Sequence, residues 1–203
     1  MRLNIQKMLS FSELGVGENV LKAIQELGFI EPTPIQQQAI PVLLADETDF
    51  VGLAQTGTGK TAAFGLPILE LTDLRIPTTQ ALILAPTREL CVQIANDLAK
   101  YGKFHRAANI TAVYGGANII QQIRQIKKGS QIVVATPGRL LDLINRGAID
   151  MGEIRYLILD EADEMLNMGF KDDIDEILSH LPEKRRVWLF SATMPQEVRS
   201  IAS

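Results

Sequence analysis

The chain has 203 residues, of which 46% are hydrophobic and 22% charged, and its formal net charge is −4. This length and composition are typical of one large globular domain, or of a domain with a small appendage. No apolar run is long enough to cross a membrane, and the single cysteine, Cys91, excludes an internal disulfide framework and favours a cytoplasmic protein. The acidic balance argues against holding nucleic acid by bulk positive charge, so any such site must be local.

The first part of the chain predicts an arm and two helices. Residues 1–16 show little periodicity and are interpreted as an N-terminal arm. Across 17–27, apolar residues recur at helical spacing. A second helix is predicted to begin at Pro34, with Thr33 as its N-cap. Gln36 follows Thr33 in the pattern of a capping box, so spacing alone assigns it a structural role.

A glycine-rich stretch follows the apolar strand predicted at 50–53 and leads into a helix. Its residues, in order, are Ala54, Gln55, Thr56, Gly57, Thr58, Gly59, Lys60 and Thr61. Gly57 and Gly59 allow backbone conformations that a Cβ would forbid, so several N–H groups can point at one anion beside a helix N-terminus. Lys60 supplies positive charge for the outer phosphates, and Thr61 supplies a hydroxyl suited to Mg²⁺. The stretch predicts a nucleotide phosphate-binding loop, although its first residue is not the usual glycine.

Beyond this loop, apolar strands alternate with helices. Strands are predicted at 81–85, 110–114, 131–135, 156–159 and 187–190, and helices at 88–101, from 119, at 138–145, around 164 and at 172–181. The strands are apolar throughout, which is typical of a parallel sheet covered on both faces. We therefore predict an α/β fold, a doubly wound and mostly parallel sheet with helices on both faces. Four strands lead to a helix that is predicted to open with threonine, at Thr61, Thr87, Thr136 and Thr193.

Two carboxylates, Asp160 and Glu161, directly follow the strand predicted at 156–159. Ligands of such sheets gather at the carboxyl ends of the strands. An NTPase needs one carboxylate to hold hydrated Mg²⁺ and another to orient the attacking water. An acidic pair at a strand end can also be merely solvated, but a phosphate-binding loop in the same domain favours the functional interpretation.

The run from Asp160 to Asp163, Asp-Glu-Ala-Asp, resembles the signature of the DEAD-box RNA helicases. The longer run 160–170 is similar to bacterial cold-shock-type members of that family. Other blocks agree with the family in order and in spacing, from about Phe11 to the end of the chain. The resemblance implies the family's first RecA-like domain, a P-loop NTPase domain, over residues 17–203.

The individual blocks each resemble a motif of this family. The stretch 11–36 resembles its adenine-recognition motif, and 54–61 resembles its phosphate loop, which tolerates alanine at the first position. The blocks that resemble its RNA-backbone motifs contain Pro86, Thr87, Arg88, Gly115, Gly116, Thr136, Pro137, Gly138 and Arg139. The run Ser191, Ala192 and Thr193 resembles the motif that couples hydrolysis to unwinding.

The resemblance implies ATP and Mg²⁺ as cofactors and gives the candidate residues separate roles. Gln36 would read the adenine, and Phe29 would pack on the base, although an aromatic residue here is equally suited to the core. Lys60 and the loop would hold the phosphates. Asp160 would hold Mg²⁺ with Thr61, largely through water. Glu161 would position and activate the attacking water.

The same resemblance implies two macromolecular partners. RNA would bind through its backbone without sequence preference, at helix N-termini such as those predicted at Thr87 and Thr136. A second RecA-like domain, absent from this chain, would bring arginines to the γ-phosphate. Asp163 and the run 191–193 would couple the nucleotide site to RNA and to that domain.

Two other classes of protein remain open on sequence alone. A nucleotide kinase would share the phosphate loop, but it needs an acceptor pocket and an arginine-rich lid, and the sequence indicates neither. A non-catalytic RNA clamp would share the RNA motifs. The presence of Lys60, Asp160 and Glu161 argues against a catalytically dead site.

Overall fold

Short parallel strands form one sheet in the computed structural model, which describes residues 8–46, 48–105 and 108–201. Within those residues, the strands are β1 Phe50–Leu53, β2 Ala81–Leu84, β3 Ile110–Val113, β4 Ile132–Ala135, β5 Tyr156–Leu159 and β6 Arg186–Ser191. Their order across the sheet is β1-β6-β5-β2-β4-β3, and every adjacent pair is parallel. The predicted parallel sheet is confirmed.

The helices connect these strands and cover both faces of the sheet. They are α1 Glu18–Glu26, α2 Pro34–Leu44, α3 Lys60–Leu71, α4 Arg88–Tyr101, α5 Ile119–Lys127, α6 Pro137–Asn145, α7 Ala162–Asn167, α8 Lys171–Ser179 and α9 Gln196–Ile201. Buried residues of α1 to α4 pack on one face, and those of α5 to α9 pack on the other. The predicted doubly wound α/β fold is therefore confirmed.

Alternate residues of each central strand supply the two cores. In β5, Ile158 points into the core under α1 to α4, while Leu157 and Leu159 point into the core under α5 to α9. In β6, Trp188 and Leu189 divide in the same way. Because both faces are buried, every position must be apolar, which explains why these strands show no polar alternation in sequence.

Two of the four predicted threonine helix openings are N-caps. Thr87 caps α4 and accepts a hydrogen bond from Leu90 N at 3.2 Å, and Thr136 is the N-cap of α6. Thr61 is the second residue of α3, whose N-cap is Gly59.

The prediction for Thr193 is wrong. Helix α9 begins only at Gln196, because the Thr193 backbone and side chain are engaged by Asp163 from another element. The helix predicted after β6 is therefore α9, and it begins three residues later than Thr193.

The predicted arm, 1–16, lies partly outside the described residues, which begin at Met8. In the described part, Phe11, Leu14 and Val16 are buried in the core under α1 to α4. This part of the segment therefore packs with the domain. Within the described residues, no helix combines the length and apolar character needed to cross a membrane.

Candidate nucleotide site and nucleic-acid interface

The carboxyl ends of the strands bring the candidate residues to one edge of the sheet and divide them into two groups. The ends of β1, β6 and β5, which are adjacent, carry the glycine-rich loop, the run from Ser191 and the Asp160-Glu161 pair. The ends of β2, β4 and β3, also adjacent, carry the residues assigned to RNA. These groups interleave along the chain, so only the strand order separates the residues assigned to the nucleotide from those assigned to RNA.

The glycine-rich loop has the backbone that its glycines predict. Gly57 and Gly59 have φ of 83° and 90°, in the left-handed region where a side chain is strained. A Cβ on Gly59 would lie 2.5 Å from Gln36 Nε2, so this position also has no space for one. The start of the loop is fixed to the sheet, because Ala54 N donates to Ser191 O at 2.9 Å. The exposed central part of the loop leaves its amides accessible to a ligand.

Lys60 and Asp160 form a buried ion pair behind the loop. Lys60 Nζ lies 3.7 Å from Asp160 Oδ1, and the residues are only 6% and 2% exposed. Lys60 Nζ has no hydrogen-bond partner among the described residues, although it is buried. Such an ammonium group is incompletely satisfied, and a phosphate oxygen would supply what it lacks.

Burial raises the pKa of Asp160 to about 6, and the favourable charge of Lys60 only partly opposes this. The adjacent Glu161 carboxylate raises the pKa further. A divalent cation beside Asp160 would favour the ionised form. Together with the Thr61 hydroxyl and the unbonded Lys60 ammonium, this carboxylate fits a site for a Mg²⁺-bound nucleotide phosphate.

Glu161 is held in an unusual backbone conformation. Its φ of 52° and ψ of 49° are left-handed, which costs a non-glycine residue about 1–3 kcal/mol. Its N–H donates to Asp160 Oδ1 at 3.0 Å, and its Oε1 accepts a hydrogen bond from Thr56 Oγ1 at 3.1 Å. The conformation aims the second carboxylate across the loop, beside the first. Thr56, in the predicted phosphate-binding loop, and Glu161, of the predicted acidic pair, are 105 residues apart in sequence and are in contact in the structure.

A cavity of about 250 Å³ lies between the loop, the two carboxylates and one face of α4. The α4 residues that line it are Leu90, Gln93, Asp97 and Tyr101. Sequence reasoning did not assign them to the site. Their spacing of three or four residues places them on one helix face, but no local pattern indicates which element that face meets.

Gln36 is buried and bonded at both ends of its amide. Its Oε1 accepts from Thr33 N at 2.9 Å, as the capping-box pattern predicts. Its Nε2 donates to Gly59 O at 3.1 Å, a link to the glycine-rich loop that the sequence did not indicate. The Thr33 hydroxyl is buried without a hydrogen-bond partner among the described residues. The capping role is thus supported, and the same side chain contacts the phosphate loop.

Phe29 is half-buried in an aromatic cluster next to this region. Its ring centroid lies 6.0 Å from that of Phe11 and 5.8 Å from that of Tyr101. Phe29 thus packs against the core under α1 to α4. Tyr101 also lines the cavity at the loop, so the cluster borders the candidate nucleotide site.

Asp163 joins α7 to the segment after β6. Its Oδ2 accepts from Thr193 N at 3.0 Å and from Thr193 Oγ1 at 2.8 Å, while its own N–H donates to Ser191 Oγ at 3.2 Å. Burial acts to raise the Asp163 pKa, but the hydrogen bonds with Thr193 and Ser191 lower it overall. Ala192, between them, is exposed. Among the predicted coupling residues, Asp163, Ser191 and Thr193 are thus connected by hydrogen bonds.

The residues assigned to RNA lie around the N-termini of two helices, α4 and α6, and in the loop after β3. Of these, Thr87 and Thr136 cap α4 and α6, and Thr136 N donates to Val113 O at 3.1 Å. Gly115 and Gly116 are exposed in the loop after β3. The other residues of this group are Pro86 and Pro137, which are buried, Gly138, which is exposed, and Arg88 and Arg139.

The two arginines of this group both contact other residues of the protein. Arg139 Nη1 donates to Gln122 Oε1 at 2.7 Å and to Ala117 O at 3.2 Å. Arg88 is exposed and lies over the Tyr114 ring, 5.0 Å from its centroid. Arg139 therefore fixes the glycine loop, whereas Arg88 remains open to a ligand.

Comparison with known proteins adds a family and several relatives. The family model described as "DEAD/DEAH box helicase" matches residues 33–201. A "DEAD-box ATP-dependent RNA helicase CshA" of Geobacillus kaustophilus is 51% identical over 195 residues, which cover 96% of this chain and 41% of the relative. An "ATP-dependent RNA helicase CshA" of Limosilactobacillus reuteri is 52% identical over 193 residues, covering 95% and 38%. The chain spans about two fifths of these curated relatives.

Solved structures agree with this comparison. A DEAD box protein from Methanococcus jannaschii superimposes with a TM-score of 0.92 and 46% identity, covering 97% of this chain and 53% of that one. A hypothetical ATP-dependent RNA helicase from Sulfolobus tokodaii gives a TM-score of 0.83 and 42% identity, covering 91% and 53%. Both solved structures therefore share the fold of this chain, and their sequence identities of 46% and 42% show a similarity in sequence as well as in fold.

Proposed function

The chain belongs to the DEAD/DEAH box helicase family, and on that premise we propose that it is the ATP-binding half of an ATP-dependent RNA helicase. The observation that carries the proposal is the buried Lys60–Asp160 pair, with its unbonded ammonium, directly behind a glycine-rich loop. Burying two charges is costly unless further partners are supplied, and a Mg²⁺-bound phosphate supplies both of them.

In this proposal the chain binds ATP through groups that are already in place. The amides of 54–61 and Lys60 would hold the phosphates, while Thr61 and Asp160 would hold Mg²⁺, largely through water. When bound, Mg²⁺ would neutralise phosphate charge. Gln36 reads the adenine with the second N–H and the second lone pair of its amide, since one of each is used within the protein. Phe29 packs beside the base.

Glu161 is proposed to position the attacking water and accept its proton. Its left-handed backbone and its hydrogen bond to Thr56 hold the carboxylate beside the loop, a position suited to orienting a nucleophile. Asp163 then transmits changes at the adjacent Asp160-Glu161 pair to the run 191–193 through three hydrogen bonds.

RNA is proposed to bind at the ends of β2, β4 and β3. The N-termini of α4 and α6 follow the adjacent strands β2 and β4 there and offer free N–H groups to backbone phosphates, without reading bases. This mode requires little net positive charge and so agrees with an acidic chain. A second RecA-like domain is proposed to complete both sites, as the greater length of the relatives suggests.

The test uses a chimera in which this chain is followed by the remaining part of one of its curated relatives. RNA-stimulated ATP hydrolysis is measured under single-turnover conditions for the unchanged chimera and for Glu161→Gln. Loss of the general base should lower the rate by roughly 10²–10⁴-fold while ATP affinity changes far less. Glu164→Gln, at an exposed carboxylate on α7, is the matched control and should hydrolyse ATP normally. Near-normal turnover by Glu161→Gln would contradict the proposal.

A further inference from the structure

A second cavity lies at the opposite edge of the sheet from the nucleotide site, at the amino ends of β5 and β6. It has a volume of about 450 Å³. The residues that line it are Asp46, Arg155, Tyr156, Lys184, Arg185 and Arg186, and we call it the basic pocket. Four of these side chains are cationic and one is a carboxylate, in a chain whose net charge is −4.

Asp46 organises two of the arginines. Arg155 Nη2 lies 3.6 Å from Asp46 Oδ2, and Arg186 Nε and Nη2 donate to the Asp46 carbonyl at 3.3 and 3.2 Å. The Tyr156 hydroxyl also donates to Asp46 Oδ2, at 3.1 Å. Asp46 therefore holds Arg155 and the Tyr156 phenol through its carboxylate, and Arg186 through its backbone carbonyl. It fixes the arginines in place without neutralising the cluster.

Several donors of the basic pocket are left for a ligand. Lys184 is exposed and makes no ion pair with another described residue. Arg185 Nη1 donates to Pro182 O at 3.0 Å, but its Nε is buried without a hydrogen-bond partner among the described residues. The Arg155 and Arg186 side chains are 53% and 37% exposed, so both can contact an incoming anion.

We propose that the basic pocket is a second phosphate-binding site, separate from the nucleotide site. Preorganised guanidinium groups match the oxygens of a phosphate and can bind it through paired hydrogen bonds. Four cations and one carboxylate leave a charge of about +3, and a phosphate would neutralise part of it. Two sources share this chemistry: the backbone of RNA and a free phosphate-bearing molecule. The basic pocket shares no lining residue with the cavity at the nucleotide site. A negative binding result at one site therefore does not bear on the proposal for the other.

The test measures binding of two probes to the chain: a fluorescent oligouridylate of about 20 nucleotides, and inorganic phosphate. The variant is Arg155→Gln combined with Lys184→Glu, and Lys184→Glu alone guards against misfolding of the pair, because Lys184 is exposed. Lys127→Glu, an exposed lysine on α5, is the matched control for charge reversal. Arg185 is left intact because it supports the backbone at Pro182.

If RNA is the source, the double variant should bind the oligonucleotide at least tenfold more weakly than the control. For the double variant, the slope of log affinity against log salt concentration should also become less steep by about 1.4, which is 0.7 for each of two lost phosphate contacts. If a free phosphate-bearing molecule is the source, inorganic phosphate should shift the Nε–H resonances of Arg155 and Arg185, and the shifts should vanish in Lys184→Glu. Either result supports the site. Equal behaviour of variant and control with both probes, or equally tight binding of polyglutamate, would overturn it.

Discussion

At the scale of single residues, the ionised form of Asp160 is destabilised by its own position. Its folded pKa of about 6 lies above the ordinary value of 3.8, because burial disfavours the charge more than Lys60 favours it. Between those values the folded chain holds a proton that the unfolded chain has lost. The contribution of protonated Asp160 to the free energy of unfolding is therefore fully present below about pH 4, and it is lost as the pH rises through about 6.

Asp160→Asn removes this titration and isolates its effect. Compared with Asp160→Asn, the unchanged chain should lose about 3 kcal/mol in the free energy of unfolding as the pH rises from about 4 to about 7. Urea denaturation of both chains, without nucleotide, measures the difference. A difference that does not change with pH would show that Asp160 is not destabilised by burial.

Gln36 combines a capping role with a contact to the phosphate loop. Gln36→Ala removes the acceptor for Thr33 N and the donor to Gly59 O, so thermal stability should fall, by roughly 1 kcal/mol for the lost cap. If Gln36 also reads adenine, the preference for ADP over GDP should fall by about 1–3 kcal/mol. Calorimetry of both nucleotides checks this, with Gln38→Ala, at an exposed position of the same helix, as control. A lost cap with an unchanged base preference would restrict Gln36 to its structural role.

The residue scale also shows where sequence reasoning ends. Gly57, Gly59 and Lys60 were predictable, because their chemistry depends on neighbours in sequence. The bond between Thr56 and Glu161 joins positions 105 residues apart, and no local pattern indicates it. The left-handed backbone of Glu161 was equally unpredictable, since a non-glycine residue rarely adopts it and only tertiary contacts maintain it.

At the scale of elements, Arg139 links α6 to the loop after β3. Arg139→Ala removes hydrogen bonds to Gln122 and Ala117 O, so the amides of Gly115 and Gly116 should exchange hydrogen faster, with little change in the core strands. Hydrogen exchange followed by mass spectrometry measures this.

Arg146→Ala is the control for this experiment, because Arg146 pairs with Asp142 on the exposed end of the same helix. That variant should leave exchange in the loop unchanged. Identical exchange in the loop of Arg139→Ala and of the unchanged chain would mean that the loop holds its conformation without the arginine.

The elements themselves were largely predictable, and their exceptions have physical causes. Apolar strands such as β2, β4 and β5 are unambiguous because they are buried on both faces. The start of helix α9 could not be located from periodicity, because its six residues are too few to establish a period. The assignment of a helix opening at Thr193 failed because Asp163, a distant residue, holds that backbone.

At the level of the whole molecule, this chain is proposed to be one of the two RecA-like domains that ATP hydrolysis requires. By itself it should hydrolyse ATP barely, without stimulation by RNA and without unwinding. An arginine supplied from another domain is typically worth about 10³–10⁵ in the rate of phosphoryl transfer. A steady-state ATPase assay with and without RNA, compared with the chimera described above, measures this. Robust RNA-stimulated turnover by residues 1–203, free of contaminating ATPase, would contradict the need for a second domain.

The division of the carboxyl edge into a nucleotide half and a nucleic-acid half is the central claim of this account. It is tested most directly by nuclear magnetic resonance of the ¹⁵N-labelled chain, titrated with ADP and Mg²⁺. The amides of 55–61 and of Glu161 should shift, those of Gly116 and Gly138 should not, and Lys60→Ala should bind at least tenfold more weakly, whereas Lys127→Ala should bind normally. Shifts centred on β3 and β4, or unchanged binding by Lys60→Ala, would contradict the claim.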